Sequence, residues 1–239
     1  MDIEWTDSKD SFALAAGSYV LATLKAKADA NIALPTGNSP LGLYEFLTSQ
    51  ADIKQLCTKA FFFNLDEYVG LGATNPYSFA AFLLNHFFIP AGISAERRRL
   101  LQGDAPNLTL EAQTHDAAIA ARGGIDLMIL GLGANGHIAF NEPGTNWLSE
   151  THIAALTAQT RAANAAYVPA GTSIPTHGIT MGIKTIRAAR SVLLMVSGGA
   201  KREALHRLLA GFADPAWPVT SLYDHPYLHV IADQTLRND

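Results

Sequence analysis

His137 and Glu142 stand just beyond the glycine-rich turn Gly131-Leu-Gly-Ala-Asn-Gly136, with Asn135 inside that turn and Asn141 between them. An imidazole titrates near neutral pH, and a nearby carboxylate can share its proton, so the residue types suit general acid–base chemistry. A second group of acids, Asp66 and Glu67, directly follows the apolar run Phe61-Phe62-Phe63. Adjacent residues on a strand face opposite sides, so at most one of the two enters a site. Taken alone, the pair also reads as two solvated acids. Cys57 between Leu56 and Thr58 reads as a buried, inert thiol.

These side chains need a scaffold, and the apolar pattern supplies one. Helices are predicted over 10–28, 41–47, 108–122 and 200–209, with another from Asn75-Pro76 whose stripe is Phe79, Phe82, Leu83 and Phe87. Buried strands are predicted at 31–34, 60–64, 125–130, 191–196 and 228–232. Residues 180–189 read as a turn leading into a helix. The alternation of strand and helix implies an α/β fold: a doubly wound, mostly parallel (Rossmann-like) sheet. Such sheets bind ligands at the carboxyl ends of their strands. The expected organisation is one domain over 1–239, with 145–175 as a lid containing a strand near 152–156. The three arginines 97–99 read as a solvated face.

Gly131-x-Gly133-x-x-Gly136 formally matches a dinucleotide fingerprint, but Pro143 and Gly144 follow where that motif needs a long helix. No nucleotide or other cofactor is expected. The turn Thr36-Gly37-Asn38-Ser39 joins a strand to a helix that Ser39 can cap, with Pro40 at its first position. It reads equally as a phosphate cradle or an ordinary βα turn. Lys201 stands at a helix start, against the dipole, which an anion between them would relieve.

Composition narrows the class. Apolar residues make up 49% and charged residues 16%, with net charge −4. A general nucleic-acid surface is not expected. The single cysteine points to a reducing cytoplasm, the polar start Met1–Asp10 is unlike a signal peptide, and no apolar run approaches the roughly 20 residues of a spanning helix. No Cys/His/acid cluster has metal-ligand spacing.

Taken together, LPTGNSPLGLY, FNLDEYVGL, GLGANGHIAFNEPG, GITMGIKTIRAAR and VSGGAKREAL resemble the glucosamine-6-phosphate deaminase/isomerase family over nearly the whole chain. The resemblance implies a cofactor-free conversion of an aldose 2-amino-sugar phosphate to a ketose phosphate plus ammonium. It implies that His137, assisted by Glu142, opens the pyranose ring, and that Asp66 moves the proton from C2 to C1. Glu67 receives no catalytic role. Thr36, Gly37, Asn38, Ser39 and Lys201 would hold the phosphate. Ammonium leaves as water adds at C2, a balance that would also class the enzyme as a hydrolase.

Three features depart from the family pattern. Asn135 stands where many members carry Asp, so it can orient His137 but cannot stabilise imidazolium by charge. Ala166 stands where a phosphate-binding Arg is expected. His152 and Ala154 replace basic residues of an allosteric site, so activation by an amino-sugar phosphate effector is not expected. The missing Arg, His152 and Gly178-Ile-Thr-Met-Gly-Ile also resemble the galactosamine-6-phosphate relatives. A lactonase of the same fold and a catalytically inactive sugar-phosphate-binding regulator are further alternatives. The expected partner is a small amino-sugar phosphate, and the expected assembly a monomer or small homo-oligomer.

Overall fold

The computed structural model describes residues 1–165 and 173–237. Its central strands are β1 Asp2–Thr6, β2 Asn31–Leu34, β3 Phe61–Asn64, β5 Arg98–Arg99, β6 Leu127–Gly131, β9 Ser191–Val196 and β10 Leu228–Asp233. They form a seven-stranded sheet of order β1-β10-β9-β6-β2-β3-β5, every neighbouring pair parallel. Parallel strands covered on both faces read as unbroken apolar runs, and β2, β6 and β9 do so because alternate residues enter two different cores. Ile32, Leu127, Ile129, Leu193 and Met195 face one, and Ala33, Met128, Leu130, Val192 and Leu194 the other.

Helices α1 (Lys9–Ala26) and α2 (Leu41–Ser49) close the first core through Phe12, Ala16, Val20, Leu43, Tyr44 and Leu47. The short α3 (Ile53–Leu56) adds Ile53 to it. Helices α5 (Leu108–Ala121), α7 (Ile183–Arg187) and α8 (Arg202–Leu209) close the second through Ile119, Ile186, Ala204, Leu205 and Leu208. The chain therefore leaves β2 toward one face and β9 toward the other. The end of β6 lies between them and sends Leu132 and Ile138 into the second core. That divergence is the switch point where doubly wound sheets open a crevice.

A second, three-stranded antiparallel sheet sits beyond it, built from β4 Asp66–Tyr68, β8 His177–Thr180 and β7 His152–Ala155 in that order. Sequence reading offers only β7 of this sheet, because β4 and β8 are too short to show a period. The sheet corrects two expectations. Asp66 and Glu67 are not solvated but buried, and Thr180 ends a strand instead of opening a turn. The first half of the expected lid, with β7, is paired into this sheet. The second half holds α6 (Ala158–Asn164), and Ala166 lies outside the described residues.

Other corrections are local. The polar start of the chain forms β1, an edge strand whose pairing with β10 is what makes it a strand. Ser39 does not cap α2; the position before Leu41 is Pro40, without a side-chain cap. The helix expected from Asn75-Pro76 begins later: Ser78 caps α4 (Phe79–Leu83) by accepting from Ala81 N, and a π-turn over Leu84–Phe88 continues it. Phe79 packs with Tyr68 and Phe140, away from the core of Leu83 and Phe87. The arginine run is not a solvated face. Arg99 pairs with buried Glu111 at 2.9 Å, and Arg98 lies over Phe88 while donating to Ile93 O. Cys57 is buried, its thiol pushed up to about 12 by desolvation. Among the described residues no helix is long and apolar enough to cross a membrane.

Candidate active site

The glycine-rich turn after β6 is shaped around one ring. A Cβ on Gly133 would fall 2.2 Å from His137 Nδ1, so only glycine lets the imidazole lie across this backbone. Gly136 adopts φ +81°, and a Cβ there would meet Trp217 at 2.8 Å. Gly133 N donates to His137 O at 2.9 Å and Gly136 N to Gly133 O at 3.0 Å, closing a tight loop in which no long helix follows. The glycines thus serve close packing, not a pyrophosphate.

Asn135 joins the histidine to the acid. Its Nδ2 donates to Glu142 Oε2 at 2.8 Å, and its Oδ1 lies 2.7 Å from His137 Nδ1. Only the amide nitrogen can face a carboxylate as donor, so the oxygen must face the ring. An amide oxygen only accepts, which places the proton on Nδ1 and leaves Nε2 as the free base. His137 Nδ1 and Glu142 Oε2 are 3.9 Å apart, with the amide bridging them. The Asn therefore fixes the tautomer without carrying charge. Burial holds His137 below its ordinary value; Glu142 opposes that shift and Lys201 adds to it. The imidazole is thus neutral at pH 7, the form that accepts a proton.

Glu142 is buried, and desolvation acts to raise its pKa. Hydrogen bonds involving Thr160 and Asn135, the charge of His137 and the Thr157 amide outweigh that and hold it below the usual range. Thr157, the N-cap of α6, gives both N (3.2 Å) and Oγ1 (3.1 Å) to Glu142 Oε1. Thr160 Oγ1 lies 3.5 Å from His137 Nδ1. Sequence reasoning passed over both threonines, although a Thr just before a helix is a legible cap signal. Asn141, named by the sequence reading without a role, is wholly buried, and its Nδ2 donates to Ile138 O (2.9 Å) and Met181 O (2.8 Å) and so ties this turn to the end of β8. Between them Ala139 sits at φ +50°, a conformation L-residues seldom adopt.

The remaining predicted residues lie at the ends of the flanking strands. Asp66 follows β3 and pairs in register with Thr180 of β8. Desolvation first, and then the charge of Glu67, raise its pKa well above the ordinary carboxylate value. Thr36 to Ser39 follow β2, with Gly37 at φ +89°. Ser39 Oγ approaches Ser197 Oγ, beyond β9, at 3.4 Å, so the two loops meet across the crevice. Lys201 ends the 3-10 turn Gly199–Lys201 before α8. Its burial lowers its pKa, and its charge reaches His137. Asp66, Asn135, His137, Glu142, the Thr36–Ser39 turn and Lys201 therefore all come from the carboxyl ends of β2, β3, β6 and β9.

A doubly wound sheet with a buried imidazole, a raised carboxyl and a cation at its switch point defines a proton-transfer type of site. The family described as glucosamine-6-phosphate isomerases/6-phosphogluconolactonase matches residues 7–229, and the chain belongs to it. Similar proteins include a glucosamine-6-phosphate deaminase of Lysinibacillus sphaericus strain C3-41, 40% identical over 93% of this chain and 94% of that protein. Another is glucosamine-6-phosphate deaminase 1 of Bacillus subtilis strain 168, 37% identical over 89% of this chain and 88% of that protein. A solved structure described as a monomeric glucosamine-6-phosphate deaminase superposes with TM-score 0.95 at 34% identity, over 99% of this chain and all of that one. A 6-phosphogluconolactonase of Trypanosoma brucei shares the fold, with TM-score 0.79 at 16% identity. These names correct one expectation: the similar relatives are named glucosamine-6-phosphate deaminases, so the hydrolase class suggested by water addition is not supported.

Proposed function

We propose that this protein converts glucosamine 6-phosphate to fructose 6-phosphate and ammonium. The observation that carries the reading is the His137–Asn135–Glu142 chain, with its free Nε2, on the same sheet edge as the raised carboxyl of Asp66. The proposed roles follow from the chemistry. His137 Nε2 takes the proton of the anomeric hydroxyl and delivers it to the ring oxygen, and Glu142 stabilises the imidazolium formed in between. Asp66 removes the C2 proton and returns it to C1, leaving an imine at C2. Water adds to that carbon, and ammonium leaves as the carbonyl forms. A carboxyl raised by burial is a stronger base once ionised than an ordinary one, which suits a carbon acid.

The phosphate is proposed to lie on the Thr36-Gly37-Asn38-Ser39 turn against Lys201. Residues 145–175, of which 166–172 lie outside the described residues, are proposed as a lid over a single domain. The cap hydrogen bonds from Thr157 to Glu142 support this, because they join lid position to the acid. A monomeric working unit is supported by the similar structure described as monomeric. A phosphorylated sugar does not cross a bilayer unaided, so the proposed compartment is the cytoplasm.

Ammonia release measured side by side with glucosamine 6-phosphate and galactosamine 6-phosphate tests the reading. Faster turnover of the galactosamine epimer would reject the substrate named here. Lys201→Ala is expected to raise KM for the phosphorylated substrate about 10- to 100-fold, the worth of one hydrogen bond to a charged group, with kcat changed much less. An unchanged KM in steady-state kinetics removes Lys201 from the phosphate site.

A further inference from the structure

Glu67 is wholly buried, yet the mechanism leaves it without a task. Its carboxylate accepts three backbone amides: Oε1 from Tyr68 N (2.8 Å) and Phe79 N (3.0 Å), and Oε2 from Ala80 N (2.8 Å). The last two are the opening amides of α4, twelve and thirteen residues further along the chain. Ser78 already caps α4 through Ala81 N. Glu67 therefore adds something a cap does not require: a bond from the helix start back to the strand that carries Asp66.

We propose that Glu67 is a positioning residue for Asp66, its buried carboxylate clamping β4 to the start of α4 so that the neighbouring Asp66 is held in one orientation at the end of β3. The pleat makes the connection geometric. Successive residues of β4 face opposite sides, so fixing Glu67 toward α4 fixes Asp66 away from it. Register supports the same placement, since Asp66 pairs with Thr180 and Glu67 with Ile179. Thr180 Oγ1 accepts from Phe140 N at 3.1 Å, which ties Asp66's cross-strand partner to the turn bearing His137 and Glu142. Tyr68, Phe79 and Phe140 pack together beside this junction, with ring centroids 4.7 to 5.6 Å apart. One clamp thus keeps the C2 base in register with the ring-opening group.

The clamp is also electrostatic. Burial, with Asp104, whose carboxylate lies against Gly72, adding to it, pushes Glu67 up to about 7 against the three amides. The charge of Glu67 in turn raises Asp66. The proposal rests on the deaminase reading, and its test separates the two.

Glu67→Gln keeps the shape but removes the charge and sets an amide N–H against one backbone donor. The expected result is a fall in kcat of about tenfold with KM changed less than twofold. The acid limb of the kcat/KM profile for ammonia release should also move to lower pH by about one unit, as Asp66 loses a like-charged neighbour. Ser78→Ala, which weakens the start of α4 without touching a charge, should leave that limb in place. If both variants lose activity without moving the limb, Glu67 only anchors α4 and the proposal is overturned. Should Glu67→Gln fail to fold, carbonyl-13C NMR of the wild-type protein labelled at Asp and Glu decides the matter. Linked titration of the Asp66 and Glu67 carboxyls supports the clamp, and independent titration overturns it. A wild-type protein that releases no ammonia sinks the deaminase reading instead, and the same spectra still decide the clamp.

Discussion

Asp66→Asn is expected to lower ammonia release about 10³-fold, within the range a positioned general base supplies, while binding of the sugar phosphate changes little. An amide cannot take the C2 proton, but it fills the same volume and can still hydrogen-bond. The same substitution should raise the thermal midpoint by a few degrees at pH 8. The sign follows from the raised pKa of Asp66. A carboxyl whose folded value lies above its unfolded value is favoured while protonated. That stability is fully present below the unfolded pKa of 3.8 and is lost as pH rises through the folded value. At pH 8 the unfolded chain gains from ionising Asp66 while the buried site disfavours that charge, a penalty Asn does not carry. The acid limb of kcat/KM should accordingly report this carboxyl, and activity should fall as pH drops through its raised value. Calorimetry and kinetics on the two proteins check both signs together. A variant with full turnover removes Asp66 from the role of base.

His137→Gln should slow the closed pyranose at least about 10²-fold, again the scale of one acid–base group. An open-chain analogue needs no proton moved between the anomeric hydroxyl and the ring oxygen. Its turnover should fall far less. The contrast depends on the geometry of Nε2, which Asn135 leaves unprotonated by accepting from Nδ1. Because burial holds His137 below its ordinary value, the imidazole stays neutral across the usual assay range and adds no limb near pH 6.5. Equal losses on both substrates would falsify the ring-opening assignment and move His137 to a general binding role. The neutral Asn135 is then sufficient because it transmits orientation, while the negative charge comes from Glu142 through the amide.

Much of the site is legible in the order of residues along the chain. The unbroken apolar runs of β2, β6 and β9 mark a covered parallel sheet, and polar residues directly after such runs mark its carboxyl edge. His137 and Glu142 read as candidates for that reason, whereas Asp66 takes its expected role only from the family resemblance. What escaped were the residues whose significance depends on non-local partners. Glu67 reads as a solvated acid until α4 folds back onto it. Thr157 and Thr160 read as lid polarity until they meet Glu142 and His137. The strands β4 and β8 are three and four residues long, too short to show a period of their own, and become strands through pairing.

The sequence by itself determined the doubly wound sheet and which residue types could move protons at its edge, because apolar periodicity and the intrinsic pKa of a side chain are local properties. Only the tertiary structure decided how those groups act. It turned Asn135 into a bridge with one possible tautomer, lifted Asp66 out of water and beside a second acid, and depressed the pKa of His137. Desolvation and hydrogen-bond direction depend on what surrounds a side chain, and those surroundings come from segments scattered between residues 31 and 201 that only folding brings together.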